Sequence, residues 1–174
     1  MNTPNKLTML RILLVPVFMV FGLYQSIPGA SILAVVLFVL AFLTDTLDGY
    51  LARKHNQVTD FGKIMDPLAD KLLVTAALVC LNVTGVVSPW ITVIILAREF
   101  IVSGIRISAA AEGNVIAASI WGKVKTVWQF VALTLALLVG KHLVIDICVW
   151  LAAVLTIVSG ADYIYKNAKY LSVK

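Results

Sequence analysis

Long uncharged stretches alternate with short polar segments along the whole chain. No Asp, Glu, Lys or Arg occurs within residues 12–44, 72–97, 126–140 or 147–161. One helical crossing of a bilayer needs roughly 20 apolar residues, so the first two stretches have room for two crossings joined by a turn. The pattern predicts a series of hydrophobic helices.

Turn-forming residues divide these stretches into separate helices. The segments 26–29 (SIPG) and 82–85 (NVTG) predict turns, and Ser88 followed by Pro89 predicts a helix N-cap and a first helical residue. The opening residues, with Thr3 as the cap and Pro4 at the start, predict a short interfacial helix that runs into the first span. Six further helices are predicted, near residues 8–25, 30–54, 62–83, 88–111, 117–139 and 144–168.

Composition assigns these helices to a membrane. The chain is 61% hydrophobic and has a mean hydropathy of +0.99, which is too high for a soluble domain of this size. We therefore predict an all-α polytopic membrane protein with six transmembrane helices, forming a single domain over residues 1–174. A cleaved signal peptide is the competing interpretation of the N-terminal segment, but that segment lacks a convincing small-x-small cleavage site.

Basic residues concentrate in alternate connections between the predicted helices, and the other connections hold only Lys141. Because positively charged connections stay in the cytoplasm, both termini and the connection at residues 54–61 are predicted to be cytoplasmic. The net charge of +5 is then a topology signal, and nucleic-acid binding is a poor interpretation of it. The basic residues counted on the cytoplasmic side are Lys6, Arg11, Arg53, Lys54, Lys63, Lys123, Lys125, Lys166, Lys169 and Lys174.

Acidic residues cluster around one predicted connection. Asp45 and Asp48 lie three residues apart near the end of the second helix. Asp66 and Asp70 lie four residues apart near the start of the third, so each pair occupies one helical face. A fifth aspartate, Asp60, is predicted to lie in the connection itself.

The two pairs of aspartates are matched in depth. Counted along the helices from residues 54–61, Asp45 and Asp70 each lie roughly 12 Å from the connection, and the other two lie nearer to it. A short connection makes the two helices antiparallel neighbours, and small residues on these faces allow close approach. Four carboxylates are therefore predicted to converge at the cytoplasmic edge of the membrane. The small residues are Gly49, Ala52 and Gly62.

Four carboxylates in one pocket must be protonated or neutralised by cations. Oxygen donors without nearby histidine or cysteine suit a hard cation such as Mg²⁺ or Mn²⁺. Two divalent ions would balance the carboxylates and still attract a substrate phosphate, as paired metals do in phosphoryl displacement. The alternative is a structural hairpin in which basic side chains neutralise the aspartates: Arg53, Lys54, Lys63 and Lys71.

The segment from residue 45 to residue 70 carries a family resemblance. Its pattern, D-x-x-D-G-x-x-A-R, eight residues, then G-x-x-x-D-x-x-x-D, resembles the signature of the CDP-alcohol phosphatidyltransferases. The resemblance implies transfer of a phosphatidyl group from a CDP-linked lipid to an alcohol, with release of CMP. It implies that Asp45, Asp48, Asp66 and Asp70 bind the two metal ions, and that Asp70 is also the general base. It further implies a CDP-diacylglycerol site formed by Asn5, Thr8, Gly49, Ala52, Arg53 and Gly62.

Cations in the second half of the chain indicate an anionic acceptor. Arg98 and Arg106 are eight residues apart and share one face of the fourth helix, and Lys123 and Lys125 begin the fifth. Such cations suit a phosphate, which arginine binds with a fork of donors. Ordinary cytoplasmic lysines remain the alternative for the two lysines, and Arg98 has the alternative of pairing with Glu99.

Three further segments resemble the members of this family that use glycerol 3-phosphate: PNKLTxxR from residue 4, AREF at 97–100 and GKVKT at 122–126. The resemblance implies glycerol 3-phosphate as the acceptor, phosphatidylglycerol phosphate as the product, and a homodimer in a bacterial plasma membrane. On this reading the acceptor phosphate is held by Arg98, Arg106, Lys123 and Lys125. Inositol phosphate remains an alternative acceptor, and a small cation transporter is the alternative from a different class.

Overall fold

A computed structural model of the chain describes the backbone of residues 3–54, 60–114, 116–117 and 119–170, and side chains within 7–44, 65–114, 116–117 and 119–170. The described residues form six α-helices and one short 3₁₀ helix, without strands, so the predicted all-α fold is confirmed. The elements are α1 (Thr3–Leu23), α2 (Ala30–Lys54), α3 (Asp60–Val83), α4 (Pro89–Ala111), α5 (Ile120–Val139), α6 (Leu143–Lys166) and the 3₁₀ helix Ala168–Tyr170.

The helix bounds agree closely with the predictions except at Asp60. Residues 3–23 form one continuous helix, so the first residues run directly into the first long helix, as predicted. Thr8 and Arg11, one to two turns from its start, have partners inside the bundle. Asp60, predicted to lie in the connection, is the first residue of α3.

The turn between α3 and α4 forms as its sequence predicts. Gly85 has a φ of +72°, a conformation that glycine adopts without the steric cost other residues meet. The Asn82 side-chain amide donates to the Val87 carbonyl at 2.9 Å and closes the turn. Ser88 is extended and α4 begins at Pro89, as predicted.

Close helix contacts organise the bundle. The first helix packs along α2 and α3, while α4 and α5 both pack on α6. At Gly22 of α1, an added Cβ would lie 2.9 Å from the Cys80 sulfur of α3, so glycine is what lets these helices approach. Phe130 of α5 stacks on Phe38 and Phe42 of α2, with ring centroids 5.6 and 3.9 Å away. These rings join the first and second halves of the chain.

The outer surface of the bundle is apolar. All six helices are 20–25 residues long, and each exposes large hydrophobic side chains, a distribution that fits contact with lipid. Within the described residues, α5 and α6 have both the length and the hydropathy of a membrane span, while Leu7–Leu23 and Ala30–Thr44 are shorter apolar segments. Examples of the exposed side chains are Leu13, Ile32, Val83, Ile107, Val127 and Ile147.

Candidate active site

The aspartate-bearing face of α3 lies against α1. The Thr8 hydroxyl donates to Asp66 Oδ1 at 2.6 Å, and Arg11 Nη1 lies 3.5 Å from Asp70 Oδ1. The two contacts are one helical turn apart on both helices, since residues three or four apart share a face. Asp66 and Asp70 therefore do lie on one face of α3, and that face meets α1.

Arg11 connects three helices. Its side chain is 1% exposed, whereas that of Asp70 is 47% exposed. Besides the ion pair with α3, the Arg11 Nε donates to the carbonyl of Ala41 in α2 at 3.2 Å. Since Arg11 contacts both residues, Ala41 and Asp70 lie at a similar depth in the bundle. Asp45 follows Ala41 by one turn of α2. The sequence interpretation counted Arg11 among the residues of a connection, which is wrong because its partners draw it inside the bundle.

The remaining predicted donor-side residues lie in helices whose backbone is described, but their side chains are outside the described residues. Among the described side chains, no group of three possible metal ligands occurs. Only two of the four aspartates predicted to bind metal, Asp66 and Asp70, have described side chains. The described pair, Asp66 and Asp70, offers carboxylate oxygens on one face, a donor set that fits a hard divalent cation. The predicted residues outside the described side chains are Asn5, Asp45, Asp48, Gly49, Ala52, Arg53 and Gly62.

Lys71 contacts α4. Its Nζ donates to the hydroxyl of Ser103, and that hydroxyl donates to the Glu99 carbonyl at 2.6 Å. The hairpin alternative needed Lys71 as a partner of the aspartates, and this geometry gives it a different role. Because Lys71 follows Asp70 directly, it links the aspartate helix to the cations of α4 and α5.

A buried ion cluster joins α4 to α5. Arg98 Nη1 donates to Glu99 Oε1 at 3.2 Å, and Lys125 Nζ donates to the same oxygen. Lys125 is 2% exposed, so it is no ordinary surface lysine, whereas Lys123 is exposed as an ordinary cytoplasmic lysine would be. The alternative pairing of Arg98 with Glu99 is confirmed, and Lys125 shares it.

Two glycines make room for Arg98. A Cβ added at Gly160 of α6 would lie 3.0 Å from Arg98 Cγ, and one added at Gly122 of α5 would lie 3.4 Å from Arg98 Nη2. The Arg98 side chain is 12% exposed, and its buried Nε has no hydrogen-bond partner within the described structure. The arginine thus lies between α5 and α6 with one donor still available.

Arg106 lies two turns along α4 and also faces α6. Its Nε donates to the Tyr163 hydroxyl at 3.2 Å, and its guanidinium carbon lies 5.6 Å from the centre of that ring, within cation–π range. Since Arg98 contacts Gly160 and Arg106 contacts Tyr163, the predicted shared face of the two arginines is present. The structure brings Arg98 and Lys125 together through Glu99 and places Arg106 separately.

An open cavity of about 500 Å³ lies where α5 begins and α6 ends. Tyr163, the partner of Arg106, forms part of its wall together with Trp121 and Lys166. The cavity, lined by apolar and polar side chains, gives a small molecule room beside the α4–α6 contact.

Sequence reasoning gave no function to Glu99, Ser103 or Tyr163. A helical spacing signal existed for Ser103, which follows Glu99 by four residues and bonds to its carbonyl. Glu99 was also the only acidic residue between 71 and 111, on the same helix as both arginines. Tyr163 gave no comparable signal, because it is 57 residues from Arg106 in sequence.

Known proteins resemble this chain over nearly its full length. A family model described as CDP-alcohol phosphatidyltransferase matches residues 1–158. The CDP-diacylglycerol–glycerol-3-phosphate 3-phosphatidyltransferase of Bacillus subtilis is 42% identical over 183 aligned positions, which cover 95% of each chain. The protein of the same name from Rickettsia bellii is 43% identical over 176 positions, covering 97% of each chain.

Two further comparisons are with proteins of Mycobacterium tuberculosis. A probable phosphatidylglycerophosphate synthase is 40% identical over 168 positions, which cover 94% of this chain and 80% of that protein. The crystal structure of phosphatidylinositol phosphate synthase in its apo form matches with a TM-score of 0.68, covering 99% of this chain and 94% of the other. Its sequence identity of 17% makes this a likeness of fold alone.

Proposed function

Because this chain belongs to the CDP-alcohol phosphatidyltransferase family, we propose that it transfers the phosphatidyl group of CDP-diacylglycerol to glycerol 3-phosphate, giving phosphatidylglycerol phosphate and CMP. The observation that carries this proposal is the identity of more than 40% to transferases of that name in two bacteria, over at least 95% of the chain. The family predicted from the aspartate pattern is confirmed. The transporter alternative loses its support, since the same comparisons identify an enzyme family.

On the donor side, we assign two divalent cations, Mg²⁺ or Mn²⁺, to Asp45, Asp48, Asp66 and Asp70. The family uses divalent metal ions, and such ions, when bound, would supply electrostatic stabilisation to the departing CMP. The pairing of Asp66 and Asp70 on one face of α3 supports the assignment. The CDP-diacylglycerol site is assigned to Asn5, Thr8, Gly49, Ala52, Arg53 and Gly62, and the bond from Thr8 to Asp66 supports this by holding α1 against the aspartate-bearing face of α3.

Asp70 is assigned as the base that accepts the proton of the attacking hydroxyl. Its half-exposed carboxylate can meet a substrate, and a carboxylate within hydrogen-bonding distance is sufficient for this proton transfer. Arg11 holds the other side of the group from within the bundle. The hydroxyl oxygen then forms a bond to the phosphorus of the phosphatidyl group, and the bond from that phosphorus to CMP breaks.

On the acceptor side, Arg98, Arg106, Lys123 and Lys125 are assigned to the phosphate of glycerol 3-phosphate. The buried Arg98 Nε supports this assignment, because buried donors are almost always hydrogen-bonded and this one has no partner among the described residues. Charge-assisted bonds from arginine to phosphate are strong and can be bidentate. Arg106 extends the same face of α4 toward the open cavity.

We further assign the chain to a bacterial plasma membrane as one six-span domain, with both termini and the active site on the cytoplasmic side, and as a homodimer. The bacterial relatives and the apolar outer surface of the helices support the membrane location. The asymmetric distribution of basic residues supports the orientation.

An acceptor panel tests the proposed function. Purified protein in detergent receives CDP-diacylglycerol and Mg²⁺ together with glycerol 3-phosphate, inositol 1-phosphate, serine or phosphatidylglycerol, and CMP release is measured. We expect CMP release with glycerol 3-phosphate. Turnover with inositol 1-phosphate instead would overturn the acceptor while leaving the family chemistry intact, and no turnover with any alcohol would overturn the donor reaction too.

A further inference from the structure

We propose that Glu99 is a positioning residue of the acceptor site: it holds Arg98 and Lys125 together and turns an unoccupied edge of the Arg98 guanidinium toward the acceptor phosphate. This inference rests on the proposed function. The inference goes beyond the proposed function because it assigns a negatively charged residue to a site that binds an anion.

The hydrogen-bond geometry of Arg98 supports this role. Arginine has five N–H donors in a planar fork, and Glu99 contacts only the Nη1 corner at 3.2 Å. The buried Nε has no partner within the described structure. The edge formed by Nε and Nη2 therefore remains for another anion, and such an edge binds phosphate through two parallel bonds.

Glycines on two neighbouring helices fix where that edge lies. The stem of Arg98 passes Gly160, where a Cβ would lie 3.0 Å from Cγ, and Nη2 lies beside Gly122, where a Cβ would lie 3.4 Å away. Glu99 holds the opposite corner of the guanidinium. The orientation of Arg98 is therefore determined by a carboxylate on one side and by the absence of side chains on the other.

Lys125 needs the same carboxylate. It is almost completely buried, and its Nζ bonds to the oxygen that Arg98 also contacts. Without Glu99, two like charges would lie together in a poorly solvated place, which is strongly unfavourable. The carboxylate thus keeps both cations in place before the acceptor arrives, so less ordering remains to be done on binding.

The charge balance allows a second anion despite the negative charge of Glu99. Arg98 and Lys125 carry two positive charges against one carboxylate, and Lys71 lies beside Ser103, one turn further along α4. A phosphate monoester carries about −1.5 to −2 near neutral pH. The cluster with Glu99 in place therefore stays net positive and attracts the phosphate of glycerol 3-phosphate.

The test compares Glu99→Gln, Glu99→Asp and the matched control Glu112→Gln, which removes an exposed carboxylate just beyond the end of α4. For Glu99→Gln we expect the KM for glycerol 3-phosphate to rise about tenfold or more, because a charge-assisted bond is lost. The kcat and the KM for CDP-diacylglycerol should stay within about twofold of wild type. Glu99→Asp should recover part of the loss, and Glu112→Gln should match wild type.

A binding measurement without donor keeps the inference testable if a variant is poorly active. Glycerol 3-phosphate should raise the unfolding temperature of the wild-type protein and of Glu112→Gln, but raise that of Glu99→Gln much less. Gly160→Ala provides a second route, because its added methyl group would lie 3.0 Å from Arg98 Cγ, closer than ordinary contact, without touching Glu99. It should also raise the KM for the acceptor.

The outcomes separate this inference from the proposed function. A wild-type protein that does not use glycerol 3-phosphate overturns the proposed function before any variant is measured. An active wild type together with an unchanged acceptor KM in Glu99→Gln overturns the inference alone. Equal losses toward both substrates, without recovery in Glu99→Asp, would show that Glu99 only stabilises the fold.

Discussion

Replacing Arg11 with Met tests whether the buried end of α1 supports the predicted catalytic aspartate. Methionine fills the space of the arginine stem but removes polar contacts that include the 3.5 Å ion pair with Asp70 and the 3.2 Å bond to the Ala41 carbonyl. The helices α1, α2 and α3 then lose a side chain that joins all three. We expect lower stability and lower turnover together.

The structure sets the expected magnitude. Opposite charges 3.5 Å apart attract by roughly 5 kcal/mol at an effective dielectric constant of about 20. Because Asp70 is 47% exposed, water screens the pair and its value falls toward the roughly 1 kcal/mol of surface ion pairs. The bond from the buried guanidinium to the Ala41 carbonyl adds about 1.5–3 kcal/mol. The total loss is therefore roughly 2–4 kcal/mol, so the unfolding midpoint should fall by about 5–15 °C.

The assay measures thermal unfolding in detergent and CMP release at a temperature well below both midpoints. Turnover should fall by about tenfold, since Asp70 loses the partner that orients its carboxylate. Arg11→Lys should fall between wild type and Arg11→Met, because an ammonium keeps the charge but lacks the fork that reaches two acceptors. Lys141→Met, which removes an exposed cation between α5 and α6, is the matched control. A midpoint within about 2 °C of wild type and unchanged turnover in Arg11→Met would refute the reasoning.

Four further outcomes are expected. EDTA should abolish CMP release and Mg²⁺ or Mn²⁺ should restore it; full turnover in the chelator contradicts the metal assignment. Asp70→Asn should lower turnover by about 10²–10⁴-fold while CDP-diacylglycerol still binds at fixed Mg²⁺, and near-normal turnover would place the base elsewhere. Arg106→Ala should raise the KM for glycerol 3-phosphate about tenfold to hundredfold; a rise for the donor instead would move Arg106 to the nucleotide side. Gly22→Ala should lower the stability of the protein by about 1–3 kcal/mol through overpacking against Cys80, and adding Cys80→Ala should recover part of that loss in thermal unfolding. No recovery in the double variant would contradict the close contact.

Helical periodicity was sufficient to predict which site residues share a face. The spacing of four between Asp66 and Asp70 and of eight between Arg98 and Arg106 follows directly from the geometry of one helix. Both members of each pair meet a shared neighbouring helix in the structure: Asp66 and Asp70 meet α1, and the arginines meet α6. Such predictions depend on one element at a time, which is why they could be made from sequence.

Partners on different helices could not be predicted in the same way. Arg11 and Asp70 are 59 residues apart, and nothing within either helix specifies that they meet. The same holds for Lys125 and Glu99, which are 26 residues apart. A basic residue near a helix end also has the same appearance in sequence whether it faces water or an acid inside the bundle. For this reason the positive-inside pattern predicted Arg11 to lie in a cytoplasmic connection, whereas it lies inside the bundle.

The polar contacts of the described residues also hold the bundle together. Arg11 and Asp70 join α1 to α3, Lys71 and Ser103 join α3 to α4, and Glu99 and Lys125 join α4 to α5. Between helices surrounded by lipid, apolar burial contributes little to association, so packing and polar contacts carry more of it.

The residues assigned to chemistry therefore lie in the same chain of contacts that positions the helices. A substitution in this chain of contacts is expected to change stability as well as substrate binding or turnover. A loss of turnover alone is then weak evidence for a catalytic role. The informative results are those that separate a role in the reaction from a role in stability. One is a KM for the acceptor that changes while the KM for the donor does not, and another is recovery by a variant that keeps the charge. By this criterion Glu99→Asp and Arg11→Lys are the decisive variants, because each preserves the charge of the contact while Glu99→Asp shortens its reach and Arg11→Lys removes the fork of donors.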